Sequence, residues 1–208
     1  MKLTHSINAH RGSVRCILKH ENFLFTAGEF GEIKKWNLET KELLFETEAL
    51  DQRTICTLHI HQNTLFTGNN RGDLVMRHVN NLSFNKHLST GNGTGTIDKI
   101  LTYNQQLFFC SLDDESINIQ NLETEKSVFC EKLQDMGHLM NIMVHPGELA
   151  VWGNHQKLAF FNINDHPKHP TQVIKTASNY CYDGKILITS NLDGYKKLVK
   201  VFVKYQED

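Results

Sequence analysis

Long apolar runs are missing from this sequence. Nowhere do about 18 apolar residues stand together, so no membrane-spanning helix is expected. The opening residues, Met1 to His10, hold no apolar stretch of signal-peptide length, and the expectation is a chain that is not exported. An excess of charge is missing too. Lys and Arg number 22 against 23 Asp and Glu, and a net charge of -1 supplies no general field for nucleic acid or an anionic membrane surface. Binding of either kind would need a local patch. The five cysteines (Cys16, Cys56, Cys110, Cys130 and Cys181) form no CxxC pair and sit mostly among Ile, Leu, Phe and Val, as small apolar side chains do. That usage fits a reducing cytoplasm or nucleus. Helical periodicity is absent over any long stretch, and two of the only three prolines share the loop His166-Pro-Lys-His-Pro170.

What is present is a repeat. The segment Phe25-Thr-Ala-Gly-Glu-Phe-Gly-Glu-Ile-Lys-Lys-Trp-Asn-Leu38 aligns without a gap with Phe66-Thr-Gly-Asn-Asn-Arg-Gly-Asp-Leu-Val-Met-Arg-His-Val79, which places Thr26 and Thr67 41 residues apart. The register continues through Cys110 to Leu122, Val151 to Ile163, and Thr189 to Phe202. A period of about 40 residues is itself the mark of a repeat architecture. Five units result, at about 8–48, 49–90, 91–132, 133–174 and 175–208, with an additional N-terminal strand at 2–6.

Each unit reads as short strands. In the first these are Val14 to Leu18, Phe23 to Thr26, Glu32 to Trp36 and Glu42 to Phe45, separated by polar turns. Gly31, Gly72 and Gly194 stand in the turn between the second and third strands, where a tight hairpin requires positive φ. An apolar residue recurs ahead of the third strand's end, as Ile33, Leu74, Ile117, Leu158 and Val199. The expected fold is all-β: a β-propeller of about five four-stranded antiparallel blades in one domain. Two ways to complete it stay open. The N-terminal strand closes the last blade and removes the free edges, or the array is open and needs a second chain.

The stretch from Thr26 to Asn37 resembles the signature that ends a WD repeat, with Ala9-His10 in the place of its Gly-His pair. The resemblance is clear in the first unit and degenerate afterwards, where the Trp36 position becomes Arg77, Gln120, Phe161 and Phe202. It implies that His10, Thr26 and Trp36 belong to the structural hydrogen-bonded network of such a blade. Phe30 stands where the family has its aspartate, so on this reading the network is one member short.

Chemical motifs are weak. His59-Ile-His61 places two imidazoles on one strand face, but no third ligand has recognisable spacing, and a solvated face is the expectation, with no metal. The run Ser89 to Thr96 lacks the lysine of a phosphate loop. Asp113, Asp114 and Glu115 are adjacent on a turn and cannot face each other across the distance that glycoside chemistry needs. No catalytic residue and no cofactor are expected. Candidate partner-binding residues are the large or charged ones at the turn between second and third strands, Phe30, Arg71 and His155, with Trp152 just before it and Arg11 and Arg53 between units.

The function expected is that of a non-catalytic protein-protein interaction scaffold or adaptor, and by family analogy a subunit or substrate-recognition component of a larger complex such as a ubiquitin ligase. The alternatives are a propeller-fold enzyme of glycosidase type, or a propeller that reads lipid headgroups or RNA. Self-association is expected if the propeller is open.

Overall fold

The computed structural model describes residues 6–48, 53–88, 90, 95–111, 116–133, 136–155, 157–163, 170–175, 179–182, 186–193 and 196–203. The chain is all-β. Four four-stranded antiparallel sheets follow one another, each with its strands in chain order, and three further strands form a fifth sheet. The first comprises β1 (Val14–His20), β2 (Phe23–Gly28), β3 (Ile33–Asn37) and β4 (Leu43–Glu46). The second comprises β5 (Ile55–His61), β6 (Thr64–Asn69), β7 (Leu74–His78) and β8 (Phe84–Leu88). The third comprises β9 (Ile97–Tyr103), β10 (Gln106–Ser111), β11 (Ser116–Asn121) and β12 (Ser127–Lys132). The fourth holds β13 (Leu139–His145), β14 (Glu148–Gly153), β15 (Lys157–Asn162) and β16 (Gln172–Lys175). The fifth holds β17 (Asn179–Tyr182), β18 (Ile186–Asp193) and β19 (Lys196–Val203). The chain divides into two compact units, Met1–Ile100 and Leu101–Asp208. The expected strand at 2–6, the turn at Gly194 and the acids Asp113, Asp114 and Glu115 lie outside the described residues, Ser6 apart.

The repeat is kept in backbone detail where side chains have diverged. A β-bulge interrupts β1 between Val14 and Cys16, β5 between Ile55 and Thr57, and β13 between Leu139 and Asn141. A second recurs where the third strand meets the fourth, at Lys35/Trp36, Met76/Arg77 and Ile119/Gln120. A bulge adds one residue and sharpens the local twist, so the first two sheets, which carry both, are coiled alike. The turns repeat as well. Gly31 and Gly72 have φ of 81° and 84° between the second and third strands. Lys41, Leu82 and Glu125 take φ near 60° after the third strand, and their amides donate to Asn37, His78 and Asn121 carbonyls. A non-glycine residue there carries strain that the closed backbone ring compensates.

Strand alternation sends two sets of side chains into core. In the first unit Phe25, Ala27 and Ile33 from the first sheet join Ile55, Leu58 and Leu65 from the second in one buried cluster. In the second unit Phe108, Cys110 and Ile117 join Leu139, Ile142 and Leu149 in the same way. The recurring apolar position is therefore core: Ile33, Leu74, Ile117 and Leu158 are all buried. The side chain of Val199 lies outside the described set. Strand pairing corrects one alignment. Thr26 lies opposite Lys34 and Thr67 opposite Val75, while in the third sheet Phe109, not Cys110, takes that register, because the hairpin there is one residue longer.

Candidate partner-binding face

Beneath the first turn face lies a closed polar relay. The Trp36 indole N–H donates to Thr26 Oγ1 at 3.0 Å, and Thr26 Oγ1 lies 2.7 Å from His10 Nε2. His10 Nδ1 lies 2.9 Å from Glu32 Oε1. A carboxylate only accepts, so His10 donates to Glu32 from Nδ1. This corrects the expectation that the network is incomplete: Phe30 does leave the turn position empty, but Glu32 supplies the acid two residues later. Burial opposes the ionised form of Glu32. The His10 hydrogen bond, its own amide and the charges of His10 and Lys34 outweigh that and hold its carboxyl below the ordinary 4.5. The threonine, histidine and acid have the order of a nucleophilic triad. Thr26 is buried, however, and its oxygen already accepts the indole N–H, so the relay's geometry is that of a structural brace.

The second sheet repeats the polarity with other residues. Asp73 occupies the Glu32 register and receives Arg53 together with Asn69 Nδ2, the latter at 2.7 Å. Burial again opposes ionisation, and the hydrogen bonds from Asn69 and Arg53 with the charges of Arg53 and His87 hold Asp73 low. In place of Trp36, Arg77 turns to the Leu82 carbonyl at 3.2 Å, and burial lowers its pKa. Gln120 in the third sheet makes the corresponding bond to Glu125. Glu32 and Asp73 are functional positions that the WD-repeat signature does not mark. Their signal is an acid directly after the turn glycine, Gly31 or Gly72, in both halves of a gap-free alignment.

Above this framework the turns of the first two sheets are joined. Thr54 Oγ1 donates to the Glu29 carbonyl at 3.1 Å, and the Asn70 amide donates to the Thr54 carbonyl at 3.0 Å. Phe30 and Arg71, next in sequence to those two residues, thus lie on neighbouring turns. Phe30 is 43% exposed, and Arg11 and Arg71 are exposed. A Cβ on Gly12 would come within 2.8 Å of both the Phe30 ring and the Glu29 carboxylate, so a larger residue there would displace those two side chains. Gly31 packs against Arg53 in the same manner, with only 2.8 Å left between a Cβ there and the Arg53 carbonyl. A cleft of about 780 Å³ beside the face is lined by Arg11, Phe30, Glu32, Lys34, Glu46, Thr47 and Glu48. Two of its acids are engaged, Glu32 with His10 and Glu46 with Lys34 at 3.0 Å.

The remaining candidates sit differently. Arg53 is committed to Asp73 inside the second sheet. Trp152 and His155 belong to the second unit, where Trp152 packs on Ala150, Leu158 and Phe160, and His155 is exposed with its amide bonded to the Met136 carbonyl. His59 corrects the expectation of a solvated face. Burial first, then the charges of His61 and Lys99, pushes it down to about 4, and its ring lies 6.5 Å from that of Phe66. Among the described residues no group of three or more His, Cys, Asp or Glu could hold a metal. Cys16, Cys56 and Cys110 form no disulfide, and burial pushes Cys16 up to about 12 and Cys56 up to about 11, so both thiols stay protonated. No described helix is long and apolar enough to cross a membrane.

These features define a repeated, antiparallel all-β protein with a polar brace in each of its first two sheets. No family model matches the sequence, and no curated protein does. Solved structures that share its fold include two computationally designed proteins. The computationally designed Ika8 protein superposes with a TM-score of 0.77 at 12% identity, over 95% of this chain and 60% of its own. The computationally designed Ika4 protein superposes with a TM-score of 0.65 at 13% identity, over 76% of this chain and 96% of its own. At such identity the likeness concerns fold alone, and this chain spans only about three-fifths of Ika8.

Proposed function

We propose that the chain is a non-catalytic protein-interaction scaffold or adaptor of WD-repeat type, its sheets the blades of a β-propeller, acting in the cytoplasm or nucleus. A protein partner docks on the turn face that carries Arg11, Phe30 and Arg71. One observation carries this reading: Thr54 ties two turns into a single surface and leaves an aromatic ring and arginines exposed on it. Rings and guanidinium groups dominate binding hot spots because they bury much area and offer directed donors. The degenerate signature supports the WD assignment, since the relay of His10, Thr26, Trp36 and Glu32 closes within one blade.

Affinity purification of the tagged full chain from its native cell tests the reading. A stoichiometric protein partner should be recovered with the parent and lost with Phe30→Ala and Arg71→Ala, while both variants melt like the parent. Unchanged recovery from both would overturn this face, and ubiquitin-ligase components in the complex would support that narrower form of the reading.

A further inference from the structure

The second sheet leaves a charge unanswered. Arg77 stands in the register of Trp36, since Leu24 lies opposite Trp36 and Leu65 opposite Arg77. In the first sheet the indole N–H meets Thr26, and the relay runs on through His10 to Glu32 without a gap. In the second sheet the equivalent threonine, Thr67, donates instead to the Val75 carbonyl at 3.5 Å. Arg77 Nη1 donates to the Leu82 carbonyl at 3.2 Å, and its Nε has no partner among the described residues. The residue is only 6% exposed. A guanidinium stays charged at any physiological pH, so this charge is held in the interior.

A cavity of about 40 Å³ adjoins it. Arg53, Asp73, Arg77 and His87 line the cavity, with Ile55 and Val75 as apolar walls. Every described residue of the lining belongs to the first unit, and the cavity lies between that unit's two sheets. Asp73 is the one acid among them, and it is already held by Arg53 and by Asn69 Nδ2. Two guanidinium groups against one carboxylate leave one positive charge over. Burial lowers the Arg77 pKa, and no neighbouring acid offsets it. A buried charge without a counter-charge is costly, and proteins ordinarily pair or ligate it. About 10–15 Å³ is enough for one water, so this space admits a few waters or one small ion. Arg53, Asp73 and His87 keep contact with solvent, which gives the ion a way in.

We infer that this cavity is a binding site for one small monovalent anion, a halide or a carboxylate of formate size, held by Arg77 and Arg53 between the first two sheets. Its charge answers that of Arg77, as Asp73 answers Arg53. The site needs neither a protein partner nor the reading of the sheets as propeller blades.

The chloride NMR linewidth in solutions of the full chain tests it. The parent should broaden the chloride resonance, and added formate should remove that broadening by displacement. Arg77→Met should weaken chloride binding about tenfold or more, whereas Arg15→Met, at an exposed arginine outside the lining, should leave it unchanged. No broadening by the parent, or equal broadening by Arg77→Met, overturns the site. Broadening lost to the same extent with Arg15→Met would assign the chloride to general surface charge and overturn the cavity as its place. Should Arg77→Met fail to fold, judged by its thermal melt, Val75→Ile decides. It narrows the cavity and keeps the charge, so it should also weaken chloride binding, and parental broadening from it overturns the site.

Discussion

The first and second sheets share a backbone and differ in nearly every polar side chain. In the first, an imidazole, a hydroxyl, an indole and a carboxylate form one chain of hydrogen bonds from His10 to Trp36. In the second, Arg53 meets Asp73, and Arg77 turns away to a turn carbonyl. The arrangement of charge is common to both: a donor ahead of the first strand, an acid at the start of the third, and a further donor near its end. What persists through the repeat is therefore polarity at a backbone position. Residue identity is free wherever another side chain can satisfy the same buried partner.

The largest effect should separate the two donors of the third strand. Trp36→Ala removes a buried ring and is expected to destabilise by about 3–5 kcal/mol. Arg77→Met is expected to change stability by under about 1 kcal/mol or to raise it, because a buried guanidinium held by one carbonyl keeps most of its desolvation cost. Urea unfolding of both measures the contrast. Equal losses would mean that the arginine does the work of the tryptophan.

Next come the residues ahead of the first strand. The His10 side chain is fully buried, and His10→Ala strands both Glu32 and Thr26, at about 1–3 kcal/mol for a buried group left unpaired. Arg53 and Asp73 are 29% and 32% exposed, so solvent screens their pair, and Arg53→Ala should cost about 1 kcal/mol or less. Chemical denaturation read at one pH decides the order. A larger loss from Arg53→Ala would reverse the roles assigned to the two braces.

The pH dependence should divide into two windows. His59 is held at about 4 from an ordinary 6.5, so the unfolded chain takes up its proton first. Stability is complete above 6.5 and falls as the pH drops from 6.5 to about 4. Glu32 and Asp73 are held below their ordinary values of 4.5 and 3.8, so their contribution is complete above those values and is lost as pH falls through the lowered ones. Stability profiles from pH 7 to 3 should show His59→Phe flattening the upper window. Glu32→Gln and Asp73→Asn should flatten the lower. A His59 variant that alters only the lower window would contradict the burial ascribed to that ring.

The smallest effects are expected on the turn face. Phe30→Ala and Arg71→Ala should each change unfolding free energy by under about 0.5 kcal/mol, since neither side chain is committed to the core. A drop of 1 kcal/mol or more in thermal or urea unfolding would recast either as a framework residue.

Much of the backbone was legible because a repeat states its pattern several times. Gly31 and Gly72 announced the hairpins, and the apolar position from Ile33 to Leu158 announced the core. The polar brace was half legible. His10, Thr26 and Trp36 followed from the resemblance, whereas the acid was sought at Phe30 and found at Glu32, since a longer side chain reaches His10 from two residues further on. Arg53 reads as an exposed charge until Asp73 is seen beside it, and Trp152 reads as a rim residue until its apolar neighbours are known.

The sequence by itself determined the all-β class, the repeat period, the turns and the alternation that separates core from surface. These depend on local steric preference and on period-two burial, which each unit carries within its own residues. Only the tertiary structure decided which acid completes the relay and which arginine is spent internally. Those outcomes depend on which sheet faces which. A packing partner some 40 residues away leaves no trace in the spacing of the residues it covers.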